Sequence, residues 1–510
     1  MLKKLNMVNI KMKTWVAILS LVLSALFVGS AGRAIDNIRE SRIAETSREM
    51  VVSGDWMVPH FNGDMRLQKP PLTYWTTAVS YKLFGVSELS TRLPSMLFAL
   101  MLLALIFTWV RQKASTETSA NVVLVLATSL ISLRHFRSGE ADTTLIFFIS
   151  AACYAGFNLL HRAANEQRRW AALAMLAMGL GFLSKGPAGI AIPLFTLLAY
   201  AYFNKQMPVL KRLLSPLGLG LFLLAAGGWY AWVFLTLPDA AQHFFGKQLD
   251  ETFVSGTHQQ PIYWYLVHIT EFFLPWGLLI IPMATWYYLH RPLNKLVSFA
   301  WAWFAVVFVL LTFTVNKQMQ YALLFAPSVA ILIGNYVSTA SGKFYRLNKL
   351  LFWLLCIAIA GMVVFAVRKH AFNVSPVPYW VAILLVPLVL KNLFKIEQPA
   401  NAMLIVATLS VFGYLFSEQY LSKDMEKNDI QQLTLQMLAY EPVFQNEPGN
   451  GAFSFYAQRP IKTLSSKSIA GYMQTHDSMW YVSKDKPDVQ QYRVQEEKTV
   501  GRWTLWKISK

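Results

Sequence analysis

Apolar stretches long enough to cross a bilayer recur from the amino terminus to residue 416, separated by mostly short polar segments. A spanning helix needs about 20 predominantly apolar residues. Runs near 15–32, 93–110, 143–160, 171–183, 190–203, 217–237, 270–289, 299–314, 321–337, 350–367, 379–390 and 403–416 are candidates. With a shorter run at 122–133 the expected number of transmembrane helices is about thirteen. Composition agrees. Of the 510 residues, 55% are hydrophobic and 14% charged, with mean hydropathy +0.38. A soluble domain carries about 25% charged residues, so this surface is built for lipid.

The formal charge is +19, but the lysines and arginines form no single run or face, which argues against a nucleic-acid partner. They fall in clusters between apolar runs: Lys3, Lys4, Lys11 and Lys13; Arg111 and Lys113; Arg162, Arg168 and Arg169; Lys205, Lys211 and Arg212; Arg291 and Lys295; Lys343, Arg346 and Lys349; Lys391 and Lys395. Most acids lie in the alternate segments, among them Asp36, Glu40, Glu45, Glu49, Asp55, Asp64, Glu88, Glu140, Asp142, Asp250 and Glu251. Positive charge marks the cytoplasmic side. The expected orientation is therefore an inside N-terminus and an outside, periplasmic C-terminal domain, in a bacterial cytoplasmic membrane. Omitting the 122–133 crossing inverts every later segment and destroys the asymmetry.

The first 34 residues resemble a secretory signal in their basic front and apolar middle, yet the apolar part is long enough to span and reads as an uncleaved first helix. Cys153 and Cys356 both lie in apolar runs, so neither a disulfide framework nor a zinc site is expected. Residues 1–416 read as the membrane domain. Two long outer loops interrupt it, at 33–90 and at 238–268, the second rich in aromatics. Residues 417–510 read as a small outside α/β domain, because GAFSFYAQ, SMWYVSK and RWTLWKI alternate as half-buried strands do.

The residues able to do chemistry concentrate in the outer segments. Between Glu40 and Met50, acids and bases recur at helical spacing opposite Ile43, Thr46 and Met50. This predicts an interfacial helix, with Glu40 at headgroup depth; a solvated surface helix is the plainer reading. Lys69, in QKPPLTYW, precedes two prolines that stiffen the backbone and remove two amide donors, so its ammonium is a candidate phosphate ligand or an interface anchor. Asp142, in RSGEADTTLIFF, is a candidate acid and equally a helix cap. Lys185, in FLSKGPAGIAIP, and Lys317, in FTVNKQMQYALLFAP, sit in short outer turns, where a lone cation binds an anion or snorkels to headgroups. His258 lies among aromatics that also suit a membrane-interface belt.

Together these segments resemble the membrane glycosyltransferases of the GT-C class, in the branch of the lipid A aminoarabinose transferase and the protein O-mannosyltransferases. ESRIAETSREMVVSGDWMVPHFNGDMRLQKPPLTYW is similar to that branch's first outer loop, and RSGEADTTLIFF to its second acidic motif. LSKGPAGIAIP resembles its Lys-Gly-Pro turn, HQQPIYWYLVHITEFFLPW its aromatic loop and NKQMQYALLFAP its later basic turn. The likeness covers roughly residues 15–340, in the expected order. It implies an α-helical polytopic fold with interfacial helices in the first outer loop. It further implies that Lys69, Lys185, Lys317 and Tyr321 hold the phosphate of a polyprenyl-phosphate-linked sugar, that Glu40 and Asp142 are the catalytic acids, and that Asp36, Arg42 and His258 line the site. The family opens its interfacial helix with an Asp-Glu pair, whereas this chain has Arg39–Glu40.

The implied reaction is an inverting transfer of aminoarabinose, mannose or another sugar from that carrier to lipid A or another envelope acceptor. A phosphate leaving group chiefly needs positive charge beside it. The glycine-rich cradles of nucleotide-binding folds are absent from the sequence, as suits a lipid-borne donor. No cofactor is called for, and dependence on a divalent metal stays open. Transfer to protein Ser or Thr is an alternative. A lipid-linked sugar flippase is a more distant one, since transporters place polar groups at the midplane and often contain internal repeats.

Overall fold

The computed structural model describes the chain outside residues 238–258, 351–398 and 421–426 and a few shorter positions (1, 36, 292, 342, 344–345, 348–349, 447–449, 488–491 and 502). The spans expected at 350–367 and 379–390 fall within or largely within the residues left out, as do Asp36, His258 and Cys356.

The chain opens with α1 (Leu2–Phe27), α2 (Ile38–Ser53), the hairpin β1 (His60–Phe61) and β2 (Asp64–Met65), and α3 (Leu72–Phe84). The helices α4 (Glu88–Arg111), α5 (Thr116–Thr128), α6 (Leu130–His135), α7 (Ala141–His161), α8 (Gln167–Lys185) and α9 (Ala188–Phe203) follow. Two compact units result. One comprises 1–28, 95–137 and 141–422, the other 29–94, 138–140 and 423–510. The sequence grouped the 33–90 loop with the membrane domain. In the structure that loop shares a unit with the C-terminal region instead.

The first unit is helical. Among the described residues, five helices are long and apolar enough to cross a membrane: α4, α7, Pro216–Thr236, Lys295–Phe313 and Met319–Thr339. Trp264–Phe272 and Trp276–Leu289 form a broken pair bent by 116°, where the sequence suggested one straight run. Shorter apolar helices occupy Thr14–Phe27, α9 and Met403–Leu415. The run at 122–133 divides at Ser129, whose ψ of 142° separates α5 from α6. This is a polytopic helical membrane protein. Leu19, Phe203, Leu235 and Ile281 keep more than half of their surface exposed, as a lipid-facing side demands. Its interior centres on an aromatic nest in which Trp109, Phe157, Tyr200 and Phe299 meet with centroids 5.1–6.3 Å apart. A Cβ added at Gly334 would lie 2.7 Å from the backbone nitrogen of Val122, so glycine there lets two helices touch.

The second unit joins the first outer loop to an α/β region. The Asn37 side chain caps α2 by accepting from the Arg39 amide at 2.9 Å, and Gly54, at φ +75°, ends it. Asn62 and Gly63 take φ values of +55° and +81° between β1 and β2, the left-handed pair that a tight two-residue hairpin requires. Near the C-terminus, β3 (Val443–Gln445), β4 (Ser478–Ser483), β5 (Arg493–Val500) and β6 (Trp503–Ser509) form a sheet of order β3-β4-β6-β5, antiparallel except for β3 with β4. Alternation along β4 and β6 sends Trp480, Val482, Trp503 and Leu505 to one core, with Ile430, Leu433 and Phe453. Met479, Tyr481, Trp506 and Ile508 go to the other, with Ile469 and Met473. That is the period-two pattern read from SMWYVSK and RWTLWKI. GAFSFYAQ, expected as a strand from the same alternation, is instead the short helix Ala452–Ala457, bounded by Gly451 and by Gln458 at φ +53°.

The charges of α2 are enclosed by protein rather than presented to headgroups. Glu40, Glu45, Thr46, Ser47, Arg48 and Glu49 are all buried. Ile35, Ala44 and Tyr81 form a core cluster with Phe455. The Gly451 amide donates to Ser41 Oγ at 3.0 Å, and a Cβ at Gly451 would strike the Ser41 carbonyl at 2.6 Å.

Candidate active site

In the helical unit, Asp142 stands in the first turn of α7 and Lys185 is the last residue of α8. The Lys185 ammonium donates to Asp142 Oδ1 at 2.5 Å. Local sequence explains the approach. Gly186, at φ +89°, turns the chain directly after Lys185. Gly189 then packs its Cα against the α8 backbone, where a Cβ would come within 2.2 Å of the Gly181 carbonyl carbon. The hairpin from α8 to α9 is therefore tight, and it aims Lys185 at the start of α7.

One further candidate, Tyr321, lies beside this pair. Lys185 Nζ sits 5.5 Å from the centroid of the Tyr321 ring, a cation–π contact. Lys317, buried in the turn after Lys295–Phe313, donates to the carbonyl of Thr314, and burial lowers its ammonium below the ordinary value. The backbone at Gln318 is pinned by Tyr265, whose hydroxyl donates to the Gln318 carbonyl at 3.1 Å. The structure thus gathers Asp142, Lys185 and Tyr321, from three separate sequence motifs, at one end of the helical unit. The arrangement offers an anion a cation that a carboxylate already holds in place.

The second unit contains Glu40, Arg39, Arg42 and Lys69. Glu40, 1% exposed, accepts from Arg92 Nε at 2.7 Å and Nη2 at 2.9 Å and from the Gly139 amide at 2.8 Å. Arg33 approaches it to 3.7 Å. Burial alone would raise this carboxyl, but the Arg92 fork, Arg33 and the Gly139 amide hold it below the ordinary value. Arg92 is fully buried, and its remaining hydrogen bonds go to the carbonyls of Ser30, Arg33 and Ala34 at 2.6–3.0 Å. Sequence reasoning missed Arg92. Its signal was an arginine at the head of an apolar run, TRLPSMLF, where an ionisable group calls for a partner. Arg39 Nε lies 3.4 Å from Glu140 Oε1. Lys69 is half-buried in the bend before α3, and Arg42 is half-buried on α2. No cluster of three or more His, Cys, Asp or Glu side chains suited to a metal occurs among the described residues.

A family model described as dolichyl-phosphate-mannose-protein mannosyltransferase matches residues 68–232, a stretch that contains Lys69, Asp142 and Lys185. An uncharacterised protein of Aquifex aeolicus is 27% identical over 75% of this chain and 74% of its own length. The undecaprenyl phosphate-alpha-4-amino-4-deoxy-L-arabinose arabinosyl transferase of Aeromonas salmonicida is 29% identical over 63% of this chain, and the match spans 61% of that protein. Among solved structures, ArnT from Cupriavidus metallidurans bound to undecaprenyl phosphate superimposes with a TM-score of 0.77 at 21% identity, covering 96% of this chain and 97% of that one. Fold, motif order and these relatives together make the chain similar to the membrane glycosyltransferases of the GT-C class. Within that class the chain is ArnT-like.

Proposed function

We propose that this protein transfers a sugar, with inversion, from a polyprenyl-phosphate carrier to lipid A or another envelope acceptor at the outer face of the cytoplasmic membrane. The Asp142–Lys185 pair beside Tyr321 carries the reading. The carrier's phosphodiester, a single anion with two free oxygens, competes with Asp142 for Lys185, and its hold strengthens as departure turns it into the more highly charged phosphomonoester. Lys185 and Lys317 then stabilise that phosphate as the bond from the anomeric carbon to it breaks. Asp142, released, orients the acceptor oxygen that attacks the carbon and takes its proton when the acceptor is a hydroxyl. Lys69 keeps its reading as a ligand of the carrier phosphate, supported by its place within the family match. Glu40 is the weaker base. Three donors occupy it and its proton affinity is lowered, so we assign it to holding the 138–140 turn through the Gly139 amide.

The relative from Aeromonas salmonicida favours aminoarabinose as the sugar. The family model's description favours a second reading, mannosyl transfer to protein. About thirteen crossings, with the N-terminus inside and the C-terminal domain outside, complete the proposal. Purified protein in proteoliposomes, given undecaprenyl-phosphate aminoarabinose and lipid A, should form modified lipid A detectable by mass spectrometry. Lys185→Ala and Lys69→Ala should abolish most donor use, and Lys69→Arg should keep part of it. Efficient transfer from a soluble nucleotide sugar would overturn the donor; glycosylation of an added Ser/Thr peptide but not of lipid A would install the second reading.

A further inference from the structure

At the end of the helical unit opposite Asp142, three cations converge from three helices. Lys113 lies two residues past the end of α4, Arg162 one residue past the end of α7, and Lys295 opens the helix Lys295–Phe313. Asp142 and Arg162 bracket α7, a helix of 21 residues, which sets them about 30 Å apart. Phe299, one turn into the helix Lys295–Phe313, packs on Trp109 near the end of α4 at 5.6 Å and on Phe157 near the end of α7 at 5.3 Å, so the three helix ends adjoin. Burial first, then Arg162 and Lys295, lower the Lys113 ammonium.

The side chains are placed by neutral groups. Arg162 Nε donates to Asn158 Oδ1 at 3.2 Å and its Nη2 to Gln112 Oε1 at 3.5 Å. The Gln112 amide donates to Tyr154 at 2.9 Å. Lys113 Nζ stands 5.6 Å from the centroid of Phe157. Among the described residues no carboxylate forms an ion pair with any of the three.

Arg162 and Lys113, at helix C-termini, have a local reason to be cationic. Lys295 has the reverse. It occupies the first position of a helix, where the dipole favours an anion, and Lys113 is a like charge near it. Asn294 caps that helix by accepting from the Val297 amide at 2.9 Å. All three cations mark the ends of apolar helices and therefore lie at headgroup depth. A negative group among them relieves both the mutual repulsion and the mismatch at Lys295.

We propose that Lys113, Arg162 and Lys295 form a binding site for the phosphate headgroup of an anionic phospholipid, in the leaflet away from Asp142. It is a second lipid site, chemically separate from the transfer reaction. Charge complementarity, and the apolar helices that carry the cations, select a lipid over a soluble anion.

The full-length protein in nanodiscs of phosphatidylcholine with graded phosphatidylglycerol provides the test, with retained lipid counted by native mass spectrometry. Wild type should hold phosphatidylglycerol at least tenfold more tightly than phosphatidylcholine. Lys295→Gln alone should lower that preference by roughly fivefold, the effect of one cation near a membrane surface. The triple variant K113Q/R162Q/K295Q should abolish it. Arg168→Gln with Arg169→Gln, which removes two charges from the first turn of α8, should leave it intact. The proposal fails if K295Q matches wild type, if R168Q/R169Q loses as much as K295Q, or if millimolar inorganic phosphate displaces the lipid, which would make this a site for a small soluble anion. None of these outcomes bears on sugar transfer, so the two readings stand or fall separately.

Discussion

Asp142 and Glu40 carry the same functional group in opposite circumstances. Asp142 faces an ammonium on a flexible stem, which an incoming phosphate can claim. Glu40 faces a guanidinium whose other donors are fixed by three backbone carbonyls. Asp142→Asn should therefore cut turnover by about 10²–10⁴-fold for a hydroxyl acceptor, with carrier lipid still bound. Radiolabelled donor retention alongside single-turnover transfer separates the two effects. Arg92→Ala should act on stability instead, since it strands a buried carboxylate at a cost of about 3–5 kcal/mol. R92A/E40A should recover much of that loss in thermal unfolding, because no unpaired charge remains. Glu45 gives a pH test. Burial pushes its carboxyl up to about 7, although Arg48 grips both oxygens at 2.7–2.8 Å. The folded chain therefore holds a proton that the unfolded chain releases near 4.5, so this contribution to stability is full below 4.5 and fades as pH rises through about 7. Glu40 works the other way, stabilising above 4.5 and losing its contribution as acid protonates it. Glu45→Gln should flatten the decline in melting temperature between pH 5 and 7; an unchanged slope would refute the assignment. Asp142, Lys185 and Lys317 stand out in the sequence because a charge beside an apolar run needs a reason, and the fold brings the first two together. That Glu40 is held by Arg92 was not legible, because the two residues are far apart in the chain and only the fold pairs them.

At the scale of elements, legibility followed periodicity. The strands β4 and β6 were readable from strict alternation, whereas GAFSFYAQ alternates equally well and folds as a helix, because a six-residue run cannot separate the two periods. The helix α2 was visible too, but its surroundings were misjudged. Charges at helical spacing suggest an exposed face, and nothing local records that Gly451 and Phe455, some four hundred residues later, cover it. The break at Ser129 and the 116° bend after Phe272 were likewise hidden within runs of uniform hydropathy. The α8–α9 hairpin supplies a test of how an element positions a site residue. Gly189→Ala forces a methyl group into the Gly181 backbone and should destabilise by about 1–3 kcal/mol. Because Lys185 sits in that hairpin, the same change should raise the donor KM more than it lowers kcat. An increase in melting temperature, or unaltered donor affinity, would contradict the packing.

At the scale of the molecule, each unit is assembled from separated pieces of chain, and the C-terminal region is required by the first loop rather than appended to it. Deleting residues 423–510 should expose the Ile35–Ala44–Tyr81 face and the Ser41 and Arg48 hydrogen bonds to Gly451 and Gln458. Limited proteolysis should then cut between residues 33 and 90 where the full protein resists. The discontinuity also has a consequence in time. Residues 29–94 leave the ribosome about 330 residues ahead of residue 423, which at 5–20 residues per second is a delay on the order of 20–60 s. For that interval α2, with its buried glutamates and Arg48, has no C-terminal cover. Nascent chains stalled before residue 423 should present the 29–94 loop as a client for whatever quality-control proteases share its compartment, and release from the stall should close that window within one folding time.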